Sequence, residues 1–157
     1  MNPCPCGQLG NPNAQCTCSL EKITRYRTKL SAPLLDRIDM HITVQALTEA
    51  ELVRPNQATG NESAVIRVKV AETRARQLSR QGCINAHLSA KDCESVCHLG
   101  ASEQAFLQQT LSRLKLSARA FHRLLKVART ISDMREADNV CLPDLQQALS
   151  FKQTTHY

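Results

Sequence analysis

Four of the chain's eight cysteines, Cys4, Cys6, Cys16 and Cys18, fall within its first 18 residues, among prolines, glycines and asparagines. Thiols crowded in this way can ligate a metal, act as reactive groups, or pair as two disulfides on oxidation. Zinc takes four deprotonated sulfurs at about 2.3 Å in a tetrahedron, and two pairs of neighbouring thiols on tight turns let a short loop supply them. Cys-Pro-Cys-Gly offers one pair and Cys-Thr-Cys the other, nine residues apart, each tighter than the usual Cys-x2-Cys. A site closed by four thiolates keeps no open position for water or substrate, so the expected metal is structural. It would fold a loop too short and too polar to bury a core of its own.

A second chemistry lies further on. From Leu111 to Thr130 there are six basic residues, Arg113, Lys115, Arg119, Arg123, Lys126 and Arg129, and no acidic one. A helix over 117–136 lines up Ala120, Leu124, Val127, Ala128 and Ile131, widened by Phe121 and Leu125, and sets Arg119, Arg123 and Lys126 on the opposite side. The apolar stripe is packing. The basic stripe is either a solvated face or, lacking carboxylates at i±4, a face for an external anion such as phosphate. Ser117 is the expected N-cap, which puts Arg119 in the first turn. In SAPLLDRID, Arg37 stands between Asp36 and Asp39, a grouping that by chemistry alone reads as a surface ion pair.

The elements that must position these groups follow from the rest of the chain. With 157 residues and 42% apolar content the sequence can build a real core. No apolar run reaches 18 residues, and the N-terminus lacks a basic region followed by an apolar stretch and a cleavage site. The chain is therefore read as soluble and cytoplasmic with reduced thiols, and Cys83, Cys93, Cys97 and Cys141 as scattered core or surface thiols. A net charge of +6 favours an anionic partner without naming it.

Residues 1–18 read as a loop. Ser19 caps a helix through LEKITRYRTKL without a capping box, and IDMHITV alternates Ile38, Met40, Ile42 and Val44 as a strand with one buried face would. Residues 45–61 read as a connection with a short helix near 48–53. Helices are expected at about 62–80, 89–97, 102–114, 117–136 and 143–150. The fold class is thus mostly α: the incomplete C-terminal end of an α/β core, with about one strand, followed by an all-α bundle. The expected divisions are 1–18, 19–45, 46–61 and 62–152.

MNPCPCG, the second Cys-x-Cys, SAPLLDRID and LSARAFHRLLKVARTI together resemble, in order, the C-terminal part of the magnesium-chelatase-like AAA+ ATPases of the ComM/YifB competence-protein type. The resemblance runs from Met1 to about Lys152. It implies that 19–45 ends the AAA+ core and 62–152 is the helical lid. It also implies that Asn2 is sensor 1, orienting the water that attacks the γ-phosphate. Arg37 would be the arginine finger, reaching a neighbouring subunit's nucleotide with a rigid donor fork suited to phosphoryl oxygens. Arg119 would be sensor 2, leaving Arg123 and Lys126 as candidates for nucleic-acid phosphates. Cys4, Cys6, Cys16 and Cys18 would hold Zn2+ in a loop near the sensor-1 strand.

ATP and Mg2+ are implied for the full-length protein, as are self-association into a ring, expected to be a hexamer, and a DNA helicase or branch-migration role in recombination during natural transformation. The chain departs from the family in three ways. No Gly-x4-Gly-Lys-Ser/Thr occurs, since none of the five glycines precedes a lysine, and no apolar strand ends in paired acids. Hence the expectation is a fragment that is monomeric and inactive alone, with Met1 matching an internal methionine. Ser31-Ala32 replaces the family's Gly-containing turn. The alternatives are a stand-alone zinc-stabilised nucleic-acid-binding module, short of stacking aromatics, and a lid that only docks on a partner protein.

Overall fold

Seven α-helices and one turn of 3-10 helix form among the described residues, and no strand does. The computed structural model describes residues 1–44, 46–48, 50, 53 and 62–152. They fall in two units, the described residues up to 53 and residues 62–152.

In the first unit, residues 1–19 form turns, followed by α1 (Leu20–Arg27) and α2 (Ala32–Leu35). Ser19 accepts a hydrogen bond from the Lys22 backbone N–H, satisfying one of the free donors at the start of α1. Glu21 in the first turn and Arg25 in the last suit the helix dipole, and they pair at 3.1 Å. No residue of α1 is buried, so α1 depends on local terms and on a tether. That tether is the Arg27 Nε–H, which donates to the Pro3 carbonyl at 3.1 Å and ties the helix to the cysteine loop. Pro33 sits in the first turn of α2, where its missing N–H costs nothing. The chain then leaves through turns in which the Arg37 and Ile38 N–H groups donate to Leu34 and Leu35.

The strand expected over 38–44 does not form. Ile38 and Met40 are each 41% exposed, Ile42 69% and Val44 87%, so the alternating pattern buries neither face. A strand is stabilised by a ladder and by cross-strand side chains, and the described residues offer this segment no neighbour to pair with. The connection and short helix expected over 45–61 lie largely outside the described residues.

The second unit is helical throughout: α3 (Glu62–Gln81), the 3-10 turn (Asn85–His87), α4 (Ala90–Cys97), α5 (Ala101–Leu114), α6 (Ala118–Met134) and α7 (Leu142–Ser150). α6 is its centre, packing against α7, α4, α3 and the 3-10 turn, while α5 packs on α7. Leu88, Cys93, Cys97, Leu107, Leu124, Leu125, Ala128, Val140, Leu145 and Ala148 form the core, with Phe121, Val127 and Ile131 packed against it. The apolar stripe expected on this helix is therefore the face it buries.

Boundaries have local causes. Ser89 and Ser117 cap α4 and α6 by accepting from Asp92 and Ala120 N–H groups. Gly82, at φ +73, ends α3 in a left-handed conformation that glycine adopts without strain. His98 and Lys115 make the same left-handed exit from α4 and α5 with φ of 47 and 49. α3 is unusual in that residues 62–72 are all exposed; only Thr73 and Gln77 are buried.

Candidate metal centre and arginine sites

The turns of residues 1–18 bring the four sulfurs together. Cys4, Cys6, Cys16 and Cys18 have Sγ atoms that all lie within 4.8 Å of one another. Cys4 and Cys6 are 3.3 Å apart, Cys6 and Cys16 3.7 Å, and Cys16 and Cys4 3.7 Å. Four sulfurs at about 2.3 Å from one zinc ion are about 3.8 Å apart along each tetrahedral edge, so the spacing fits the ion. A disulfide requires about 2.05 Å, and all four thiols are free.

The local sequence explains the cluster. The Gly7 N–H donates to the Cys4 carbonyl at 3.1 Å, turning the chain after the first pair. Gly7 sits at φ +78, and a Cβ there would stand 3.3 Å from Asn2 Nδ2. The Leu9 N–H donates to Cys4 Sγ at 3.4 Å. Cys4 is buried, Cys16 and Cys18 are half-buried, and Cys6 is exposed. The Gln8 backbone N–H, with the Cys4 and Cys18 thiols, lowers Cys6 to about 6. At Cys16 a backbone hydrogen bond involving Cys18 favours the thiolate, but desolvation and the Cys4, Cys6 and Cys18 thiols push it up to about 12. A divalent cation held by the four sulfurs would favour the thiolate form at each of them.

Asn2 is exposed two residues before Cys4, and Arg37 is exposed just after α2, where its side chain makes no ion pair among the described residues. Arg119 is likewise exposed, in the first turn of α6 beyond the Ser117 cap. Asn2 and Arg37 belong to the first unit and Arg119 to the second.

The basic face of α6 is less uniform than its sequence. Lys126 Nζ donates to the Ala86 carbonyl of the 3-10 turn at 3.0 Å, Arg123 is half-buried, and His122 Nε2 lies 3.0 Å from Glu94 Oε1 on α4. Arg129, one of the six basic residues counted over 111–130, points inward and is 0% exposed. Its Nε and Nη2 hold Asp133 Oδ1 at 3.1 and 2.8 Å, and its Nη1 and Nη2 donate to the Asp138 and Ala137 carbonyls at 2.6 Å. Part of the charge that suggested an external anion is therefore used within the unit.

Sequence reasoning missed this network altogether. Arg80, from the end of α3, pairs with Asp133 through both Nη atoms. Asn85 Nδ2 donates to Asp133 Oδ2 at 2.8 Å and to Thr130 Oγ1 at 3.0 Å, while Gln77 Oε1 accepts from the Asn85 N–H. Burial alone would raise the Asp133 carboxyl. The hydrogen bonds from Arg80 and Asn85 and the charges of Arg129 and Arg80 prevail and hold it below its ordinary value. The i,i+4 spacing of Arg129 and Asp133 is visible in the sequence; the partner at Arg80 is 53 residues away and is not. Of the scattered thiols, Cys93 and Cys97 are buried in the core, Cys83 packs against it, and Cys141 caps α7 with Asp144.

No helix among the described residues is long and apolar enough to cross a membrane. Residues 1–52 match the family described as magnesium chelatase, subunit ChlI, and residues 60–152 match magnesium chelatase, subunit ChlI C-terminal. The chain is 39% identical over 97% of its length to the competence protein ComM of Haemophilus influenzae and 37% identical over 97% to the uncharacterized protein YifB of Escherichia coli. It is 31% identical over 98% of its length to the uncharacterized protein Rv2897c of Mycobacterium tuberculosis. It spans 29% of the length of the first two relatives and 30% of the third. With a continuous match from residue 60 to 152, the chain belongs to the magnesium chelatase ChlI C-terminal family.

Proposed function

We propose that this chain is the portion, from sensor 1 to the helical lid, of a ring-forming AAA+ ATPase that acts on DNA. In this reading residues 1–18 are a Zn2+-stabilised loop, 19–45 end the ATPase core, 46–61 link, and 62–152 are the lid. Arg37 acts as the finger on a neighbouring subunit's ATP, Arg119 as sensor 2 and Asn2 as sensor 1. Mg2+ serves the nucleotide, and Arg123 and Lys126 meet nucleic-acid phosphates. The full-length protein would form a cytoplasmic hexamer working as a helicase or branch-migration motor on incoming DNA. The chain alone would be monomeric and would not hydrolyse ATP.

The observation that carries this reading is the contrast among the arginines. Arg80, Arg129 and Arg135 are each held by a carboxylate, while Arg37 and Arg119 are exposed and in no ion pair among the described residues. A guanidinium left available is what stabilising a transferring phosphoryl group requires. The name of the Haemophilus relative, a competence protein, favours DNA as the substrate.

The test is Arg37→Ala in the full-length protein. Turnover should fall by about 10³-fold or more with nucleotide affinity nearly unchanged, as expected for an arginine finger. Equal loss of both would end the assignment of a finger acting on a neighbour. Salt-dependent DNA binding by this chain alone, with a slope reporting several phosphate contacts, would favour the stand-alone module instead.

A further inference from the structure

We propose that the sulfur cluster is also an oxidation site, at which a hydroperoxide joins Cys6 to Cys16, releases the metal and so withdraws Asn2 from its working position. This rests on the zinc reading above. The four sulfurs are not equivalent. Cys4 is 0% exposed and accepts the Leu9 N–H, whereas Cys6 is open to solvent. An oxidant arriving from water therefore meets Cys6 first.

Three neighbours could resolve the oxidised sulfur, and two of them, Cys4 and Cys16, lie within 3.7 Å of it, with Cys18 within 4.8 Å. Cys4 is nearer, at 3.3 Å, but it is buried, and a disulfide across the single residue Pro5 closes a small strained ring. Cys16 is 3.7 Å away, separated by nine residues, and is partly exposed. The Cys6 thiolate attacks the peroxide O–O bond, giving a sulfenic acid and hydroxide. The Cys16 thiolate then attacks the Cys6 sulfur, forming the S–S bond and expelling a second hydroxide. Two thiolates lose two electrons, and one hydrogen peroxide gains them.

The consequence follows from burial. Cys4 is the one buried side chain among the described residues of the first unit, so apart from the sulfurs this loop has no core to fall back on. Asn2 sits two residues from Cys4 with its amide against Gly7, and α1 is tied to the loop through Arg27 and the Pro3 carbonyl. Losing two ligands would loosen all three.

The experiment treats the reduced, metal-replete protein with hydrogen peroxide, reads zinc release with a chromogenic chelator, and maps disulfides by mass spectrometry. A full equivalent of zinc should be present, and it should leave in step with a Cys6–Cys16 link and return on reduction with added zinc. Maleimide labelling of the zinc-loaded protein should modify Cys6 at least about ten-fold faster than Cys4, a readout that needs no variant. Absence of zinc from the reduced protein would sink the metal reading itself. Zinc that is bound but survives peroxide, a first disulfide joining another pair, or labelling led by Cys4 would overturn the oxidation site alone.

Discussion

The two units solve the problem of a small folded region by different means. Among the described residues the first buries a single side chain, the thiol of Cys4, and its helix α1 buries none. The second buries a continuous set of leucines, alanines and thiols around α6, and inside that apolar set it also buries Arg129 and Asp133 as an ion pair. The cysteine loop gathers four donor atoms that could hold a cation, and the bundle is held by area removed from water. The lesson is that the bundle's basic residues have different meanings: Arg129 is buried against Asp133, and Arg80 and Arg135, partly exposed, are held by Asp133 and Asp144.

If the four sulfurs hold zinc as proposed, removing it should separate the units most sharply. Structural zinc contributes about 10–16 kcal/mol of apparent free energy in zinc-finger peptides. Chelation of reduced protein should therefore open residues 1–18 to protease, while the thermal midpoint of 62–152 stays put. A bundle that melts with the loop would show the two to be one cooperative system.

Next in size is the buried pair. Asp133→Ala leaves Arg129 charged in the core and should cost about 3–5 kcal/mol, read from the urea midpoint. The double replacement Arg129→Met with Asp133→Leu should recover part of that loss, because apolar packing substitutes for a desolvated pair. A loss below about 1 kcal/mol for the single change would mean the pair is solvated after all.

Acid should act on the bundle through the same carboxylates. Asp133 is held below its ordinary value of 3.8 despite burial, through Arg80 and Asn85, and Asp144 despite burial through Arg135 and the Cys141 N–H. A group with a depressed folded pKa binds protons more weakly folded than unfolded. Its contribution is complete above 3.8 and is lost as the pH falls below that value through the folded one. Helical circular dichroism followed from pH 5 downward should show the bundle losing stability there, and Asp144→Asn should blunt the slope.

The smallest effect is at the caps. Ser117→Ala should cost the bundle about 1 kcal/mol. Ser19→Ala, the equivalent change at α1, should leave the bundle's midpoint unmoved. If both shift it equally, the division into two independently stabilised regions is wrong.

The bundle's helices were legible in the sequence because their signals are local. Periodic apolar residues, Ser117 and Gly82 act within a turn or two of the positions they affect, so the expected and observed bounds differ by one or two residues. The sulfur cluster was legible for the same reason: two Cys-x-Cys pairs on Gly- and Pro-rich turns have few ways to stay apart. The strand at 38–44 was misread because alternation describes a side chain's preference, and a strand also needs a partner chain that this segment does not have among the described residues.

What the sequence determined by itself is thus the helical half, its capping serines, and four thiols close enough to share an ion. What only the tertiary structure decided is direction: that Arg129 turns inward to Asp133, that Lys126 reaches the Ala86 carbonyl, and that Arg37 and Arg119 stay exposed. The physical reason is range. Turn and helix preferences are fixed by neighbours along the chain. The environment of a long, flexible guanidinium is set by whatever carboxylate or carbonyl packing brings near it, and for Asp133 one such partner, Arg80, stands 53 residues away.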